Sequence, residues 1–146
     1  MIEPLRFDFE VACPPEHAFE VWTARIATWW PADHTVSGDA DLDVVVEPGV
    51  GGRIYERTRD GVEHDWGWVT EWEPPGRFVY QWHLRRDRDD ATEVEIRFLP
   101  VDGSRTRVEI EHRDWERLGA EGPTWRDRNA GGWATLLPHF EAAAGL

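Results

Sequence analysis

The stretch from Thr92 to Arg113, TEVEIRFLPVDGSRTRVEIEHR, decides what kind of fold this chain can adopt. Apolar residues alternate with polar ones through most of both halves, which is the period of a strand with one buried face. The pair Asp102-Gly103 between the halves is typical of a tight hairpin turn, because both residues tolerate positive φ. We therefore predict two antiparallel strands, 92–100 and 105–113, with Val94, Ile96, Phe98, Val108, Ile110 and His112 on their inward faces.

Strand-like segments continue on the N-terminal side of this hairpin. The segment from Leu5 to Val11 alternates in the same way and ends at Cys13-Pro14-Pro15. Two short helices are predicted over 15–29, because apolar residues follow the prolines at helical spacing. Further strands are predicted at 42–46, 52–59, 63–73 and 77–86, with turn residues between them.

A long C-terminal helix completes the chain, and one of its faces carries Trp133, Leu136, Leu137, Phe140 and Ala144. The element order is β-αα-ββββββ-α. It predicts an α+β fold in which a curved antiparallel sheet of about seven strands packs on the C-terminal helix. A strongly curved sheet cannot contact a straight helix along its whole length, so we expect a cavity between them.

Composition limits the classes of function. A chain of 146 residues suits one domain, taken as 1–146. The formal net charge of −13 disfavours binding to nucleic acid. No apolar run approaches the roughly 20 residues that span a bilayer, and the N-terminal segment lacks the pattern of a signal peptide. We therefore expect a cytoplasmic protein without membrane insertion, either a monomer or a homodimer.

Metal binding and nucleotide binding have little support. Cys13 is the single cysteine, which excludes an internal disulfide and every metal cage built of cysteines. The six histidines form no His-x-His or His-x₃-His pair, so we expect no metal and no other cofactor. The glycine-rich segment 49–52 precedes a strand rather than a helix, and therefore does not match a phosphate-binding loop.

The chain carries an ordered set of short motifs. They are Glu47-Pro48-Gly49-Val50-Gly51-Gly52-Arg53, Asp60-Gly61, Trp66-Gly67-x-Val69, Trp72-Glu73-Pro74-Pro75, Arg77-Phe78, Trp82, Thr92-Glu93-Val94, Glu111-His112 and Gly131-Gly132-Trp133. Together these motifs resemble the SRPBCC superfamily and, more narrowly, the domain named after the activator of the heat-shock-protein-90 ATPase. The resemblance implies a helix-grip fold of the START and birch-pollen-allergen type, with a deep cavity that binds hydrophobic small molecules. Some members are polyketide aromatase/cyclases.

Tryptophan supplies most of the candidate ligand contacts, because a tryptophan-rich wall suits a flat aromatic ligand as well as a filled core. In strand 63–73, alternation puts Trp66 and Trp68 on the face opposite Val69, whereas the Gly-x-Val motif of the resemblance suggests that Val69 points inward. A bulge that switches Trp72 to the side of Val69 would reconcile the two. The candidate ligand-binding residues are Trp30, Glu56, Trp66, Trp68, Trp82, His112, Trp133 and Leu137.

His112 and Glu56 are the candidate catalytic residues. His112 is either a core histidine held by hydrogen bonds or a group that moves a proton in the cavity. Glu56, if it points inward, is either paired with a donor or neutral with a raised pKa. A catalytic role requires both side chains to reach one open cavity within about one water of each other.

Three functions remain open at this point. The first is binding of a hydrophobic or aromatic small molecule, with a stress-related role as one context. The second is a small aromatase/cyclase-like or hydrolase-like enzyme that uses His112 and Glu56. The third is a chaperone-associated module, which predicts an exposed apolar patch outside the cavity.

Overall fold

The computed structural model of the chain describes residues 2–145. Within this range seven strands form one antiparallel sheet in the order β1-β7-β6-β5-β4-β3-β2. The sheet is curled, and helices α1 and α2 pack against it, so the predicted α+β helix-grip architecture is confirmed. The elements are β1 (Leu5–Val11), α1 (Pro15–Trp22), β2 (Asp43–Val46), β3 (Arg53–Arg57), β4 (Glu63–Glu73), β5 (Arg77–Trp82), β6 (Thr92–Asp102), β7 (Arg105–Arg113) and α2 (Gly122–Ala144).

Several predicted boundaries differ from the structure; strands 52–59 and 92–100, for example, are observed at 53–57 and 92–102. The second of the two short helices over 15–29 is only a 3-10 turn, Ile26–Thr28. Strand 77–86 ends at Trp82, since Arg85 has a φ of 64°, which no strand residue adopts. The C-terminal helix begins at Gly122 and has no side-chain cap, because the 3-10 segment Trp115–Glu121 leads directly into it.

Strand β4 contains two bulges that decide which tryptophans face the core. Trp66 is an extra residue relative to β3, and Thr70 is an extra residue relative to β5. Trp66 and Val69 are therefore both buried in the core, and Trp72 packs against it. The predicted switch of Trp72 to the side of Val69 is confirmed, but the simple alternation that grouped Trp66 with Trp68 is wrong, because Trp68 stays on the outer face.

Gly67 allows β4 and β5 to approach each other at the first bulge. A side chain there would overlap the backbone oxygen of Gln81, so only glycine fits without moving a strand. The close approach places Trp82, the register partner of Gly67, at the end of β5 beside Trp66. The backbone N–H of His83 then donates to the Trp66 carbonyl, at 2.7 Å. This contact directs the chain after β5 toward the candidate site.

Candidate functional site

A cavity of about 490 Å³ lies where α2 passes the ends of β5 and β6. Four segments enclose it: the loop that follows β5, the 3-10 turn Ala32–His34, the 3-10 segment Trp115–Glu121 and the first half of α2. Its wall combines aromatic and charged side chains, namely Trp30, Asp33, His34, Trp82, His83, Leu84, Arg85, Arg86, Asp90, Thr92, Trp115, Leu118, Trp125, Arg128, Asn129, Gly132, Trp133 and Leu136.

Five indole rings contribute to this wall, and several of their N–H groups are already used inside the protein. Trp30 donates to the His34 carbonyl at 3.0 Å, and Trp115 donates to the His112 carbonyl at 2.9 Å. Trp133 donates to the Nδ1 atom of His112 at 3.1 Å. These bonds fix the rings while their apolar surface remains on the cavity side. Of the predicted ligand-binding residues, the structure brings Trp30, Trp82 and Trp133 together here.

His112 shares the inward face of β7, as predicted, but it lies behind the wall rather than on it. Its side chain is fully buried, and Thr92, Trp115 and Trp133 separate it from the cavity. The Trp133 indole can only donate, so Nδ1 accepts and the proton is on Nε2, which donates to the Thr92 hydroxyl at 2.7 Å. Burial lowers the pKa of His112 to about 3, so this imidazole is neutral at physiological pH.

Glu56 is also fully buried and lies outside the cavity wall. One carboxylate oxygen accepts from the Val36 N–H at 2.6 Å and from the Trp66 indole at 2.8 Å. The other accepts from the backbone N–H and the hydroxyl of Ser37, at 3.0 Å and 2.6 Å. Burial alone raises the pKa of Glu56, but these four hydrogen bonds outweigh it and hold the pKa below its usual value. The carboxylate is thus paired and charged, which corrects the alternative of a neutral Glu56.

The proton-transfer pair required by the enzyme hypothesis is therefore not assembled in the cavity. His112 bonds to Thr92 and Trp133, whereas Glu56 ties the loop 36–37 to Trp66. Each side chain has its hydrogen-bonding positions filled by protein groups. Both residues hold a tryptophan in place: His112 accepts from Trp133 on the cavity wall, and Glu56 accepts from Trp66 behind it.

Three other predicted ligand contacts also lie outside the wall. Trp66 is completely buried behind it, with its ring 5.1 Å from Trp30 and 5.6 Å from Trp82. Leu137 is part of the core under α2. The Trp68 ring lies on the outer face of the sheet, where the Arg88 guanidinium stacks on it at 3.8 Å.

The family is settled by the sequence as a whole. Residues 12–145 match the family model described as Activator of Hsp90 ATPase homolog 1-like protein. The chain belongs to this family. Among curated proteins, none matches the sequence.

Solved structures of several relatives share the fold over nearly the whole chain. One, described as an anthrahydroquino-Gama-pyrone synthase, Txn09, complexed with SUM, is 36% identical with a TM-score of 0.69, and 97% of each chain is covered. The self-sacrificing resistance protein CalC from Micromonospora echinospora is 27% identical with a TM-score of 0.70, covering 97% of this chain and 93% of its own.

An HSP90 activator from Plasmodium falciparum, PFC0360w, is 22% identical with a TM-score of 0.71, covering 97% of this chain and 96% of its own. That likeness shows the fold alone, so the chaperone-associated hypothesis stays a prediction for this family member. The large apolar side chains exposed among residues 2–145 are Val36, Val50, Val62, Leu99 and Val101.

His83 is a cavity residue that the sequence reasoning missed. Alternation along the predicted strand 77–86 puts it on the outer face with Gln81. The strand ends one residue earlier, and His83 is a buried residue that lines the cavity, with its ring 6.0 Å from that of Trp68. Nδ1 lies 3.1 Å from the Arg86 carbonyl, which can only accept, so Nδ1 carries the proton. Nε2 then holds a lone pair that has no partner among residues 2–145. The sequence carries no periodic signal that would have identified it, because the strand ends at Trp82.

The glycine pair in α2 has an unexpected environment. Each of Gly131 and Gly132 costs about 1 kcal/mol in a helix relative to alanine, and a close approach to the sheet or to a ligand at the cavity mouth would account for that cost. A Cβ atom would meet nothing within 4 Å at either position, so the sheet is not the reason. Gly132 lines the cavity, whereas Gly131 is exposed outside it.

Residues 2–145 contain no cluster of three or more His, Cys, Asp or Glu side chains placed to hold a metal ion. None of the helices in this range is both long and apolar enough to cross a membrane.

Proposed function

We propose that this protein binds a planar aromatic small molecule of the polyketide type in the cavity beside α2. The observation that carries the proposal is the wall itself, in which five tryptophans surround about 490 Å³ of space. Pockets of roughly 300–1,000 Å³ with mainly apolar walls and a few polar groups are the usual sites for small organic ligands. Indole rings held by internal hydrogen bonds offer flat surfaces on which an aromatic ring can stack.

The comparison with solved structures supports the same ligand class. The relative at 36% identity is a synthase named for an anthrahydroquino-pyrone, which is a polycyclic aromatic compound. Coverage of 97% of each chain means that the two proteins correspond along their whole length. A cavity lined by aromatic rings in this chain fits a ligand of that shape.

Direct binding measurements test the proposal. Two probes of equal size, anthraquinone-2-carboxamide and anthraquinone-2-carboxylate, would be titrated into the protein by isothermal calorimetry, with quenching of tryptophan fluorescence as a second readout. We expect saturable binding of at least one probe with a stoichiometry of one. The absence of binding by both probes up to their solubility limit would overturn the proposed function.

Adding a side chain at Gly132 should block this binding. Gly132→Leu projects a side chain into the cavity, so we expect the affinity of the probe that binds to fall at least about tenfold, the effect of roughly 1.4 kcal/mol. Gly131→Leu is the matched control. It also replaces a helical glycine by leucine, but on the exposed side of α2 and outside the cavity. Equal affinities of the two variants for the probe would indicate that the probe binds outside this cavity.

Ring closure on such a ligand is a second candidate function. It is supported by the 36% sequence identity to a synthase and by His83, whose Nε2 atom has no hydrogen-bond partner within residues 2–145. In this reaction a phenol oxygen attacks a ketone carbon, a C–O bond forms and one water leaves, so no oxidant is needed. His83 would accept the phenol proton at Nε2, since Nδ1 is fixed by the Arg86 carbonyl; the Nε2 atom is buried, so a side-chain movement has to bring it to the phenol.

A model substrate tests this second candidate. 1-(2-Hydroxyphenyl)butane-1,3-dione closes to 2-methylchromone, a γ-pyrone, with a change in ultraviolet absorbance. We expect the protein to accelerate the closure and His83→Asn to reduce the rate by about 10²-fold or more, the usual contribution of general base catalysis. His139→Asn, on the exposed side of α2, should leave the rate unchanged. A rate in His83→Asn equal to that of the unmodified protein would exclude His83 as the base.

A further inference from the structure

The arginines of this acidic chain are mostly neutralised by carboxylates, and the exceptions are few. The formal net charge is −13, and most arginines make an ion pair on the surface. Among residues 2–145, four arginines have no carboxylate within ion-pair distance: Arg85, Arg88, Arg117 and Arg128. Arg88 stacks on Trp68, and Arg117 donates to the side chain of Gln81. The other two line the cavity.

Arg85 is held in place by backbone carbonyls rather than by a counter-charge. Its Nε and Nη2 atoms donate to the Thr35 carbonyl at 3.1 and 2.8 Å, and Nη2 also reaches the Asp33 carbonyl at 3.3 Å. Nη1 makes no hydrogen bond within the described residues, so its two N–H groups remain available. The residue adopts a φ of 64°, in the left-handed region that is strained for a residue other than glycine. The chain thus keeps an arginine at the cavity where a glycine would be less strained.

Arg128 approaches the same cavity from α2. Its guanidinium lies 5.0 Å from the centre of the Trp125 ring, and Trp125 is itself part of the wall. The Arg86 guanidinium lies 4.7 Å from the centre of the same ring but is already paired, because its Nη2 atom contacts Asp90 and Glu121 at 3.0 and 3.1 Å. Arg128 has no such partner. Its charge is therefore the one on this helix that remains for a ligand.

The two carboxylates of the cavity wall do not cancel these charges. Asp90 pairs with Arg86. Asp33 is largely exposed, and its Oδ1 atom contacts the His34 ring at 2.7 Å. The wall therefore presents two guanidinium groups, Arg85 and Arg128, without carboxylate partners, in a protein whose overall charge repels anions.

We propose that the ligand of this cavity is an aromatic acid, whose carboxylate is bound by Arg85 and Arg128 while its rings stack on the tryptophans. This inference rests on the proposed function and adds the charged group of the ligand to it. Arginine suits the role because its planar guanidinium donates two parallel hydrogen bonds to a carboxylate. It stays charged at any physiological pH.

The two anthraquinone probes test the charge directly, because they differ only in replacing a carboxylate by a neutral carboxamide. We expect the carboxylate to bind at least about tenfold more tightly, the effect of one charge-assisted hydrogen bond of roughly 1.4 kcal/mol or more. The preference should shrink when the ionic strength rises from about 0.05 M to 0.5 M, because salt screens exposed charges. The affinity of the carboxamide should not change with salt.

Variants of the two arginines test whether they cause the preference for the carboxylate probe over the carboxamide. In the double variant Arg85→Gln/Arg128→Gln the carboxylate and carboxamide should bind within about threefold of each other. Arg88→Gln is the matched control, since Arg88 also lacks a carboxylate partner but stacks on the outer face of the sheet. Thermal unfolding of all variants checks that they fold.

Each result separates this inference from the proposed function. Equal affinities of the unmodified protein for both probes would overturn the inference that the ligand is an acid. The proposal that the protein binds an aromatic ligand would still hold. A preference that survives in the double variant would overturn the assignment to Arg85 and Arg128. Binding of neither probe would overturn the proposed function itself.

Discussion

Replacing His112 with leucine should lower the free energy of unfolding by about 3 kcal/mol, because the buried Trp133 indole is left without an acceptor and the Thr92 hydroxyl keeps only its long bond to the Trp82 carbonyl, at 3.4 Å. Each such loss costs roughly 1–3 kcal/mol. Urea denaturation at pH 7 measures the change. The matched control is His139→Leu on the exposed side of α2, which should stay within about 0.5 kcal/mol of the unmodified protein.

The same histidine should make stability depend on pH in a defined direction. The folded protein holds the pKa of His112 at about 3, against the ordinary 6.5 of the unfolded chain. Between these values only the unfolded state binds the proton, so stability is complete above pH 6.5 and is lost as the pH falls toward 3. From pH 7 to pH 5 the loss from this one group is about 2 kcal/mol.

His112→Leu removes this contribution, so the difference in unfolding free energy between the variant and the unmodified protein should narrow by about 2 kcal/mol from pH 7 to pH 5. Measuring the difference cancels the other histidines, which both proteins share. A difference that stays constant with pH would mean that His112 titrates normally in the folded state. It would then be accessible to protons and would regain its place as a candidate for proton transfer.

The strand pattern explains why the fold was predictable and the depth of His112 was not. Alternation in β6 and β7 identified the inward face correctly, and His112 does lie on it. Alternation states only which side of a sheet a residue faces. Whether the cavity or the core lies on that side depends on where α2 crosses the sheet, and therefore on the packing of Trp115 and Trp133.

The cavity residues that were missed lie where periodicity ends. Trp30, Trp82 and Trp133 were predicted because each belongs to a periodic element or closes one. His83 and Arg85 follow β5 in a segment that has no period, and their positions come from the positive φ of Arg85 and the contact of His83 with the Trp66 carbonyl. Strand β4 shows the same limit, because two bulges changed the side on which its tryptophans lie.

Replacing Glu56 with glutamine should destabilise the protein by about 2–4 kcal/mol although the two side chains have the same shape. The carboxylate accepts four hydrogen bonds, two on each oxygen, and a glutamine amide offers one oxygen and one NH₂ group. The NH₂ group would face N–H donors, and at least one buried donor would lose its acceptor. Urea denaturation measures the loss, with Glu63→Gln as the control, because its ion pairs with Arg53 and Arg57 are on the surface and contribute at most about 1 kcal/mol.

Glu56 should also affect the ligand site, although it does not line it. Its carboxylate fixes the loop at Val36 and Ser37, and the neighbouring Thr35 carbonyl is the acceptor that holds Arg85 at the cavity. Loosening that loop removes the support of Arg85, so Glu56→Gln should reduce the preference for anthraquinone-2-carboxylate over the carboxamide while the carboxamide still binds. A full preference in a folded but destabilised Glu56→Gln protein would show that Arg85 is positioned without this loop. The stability lost in Glu56→Gln would then reflect only the unpaired donors around residue 56.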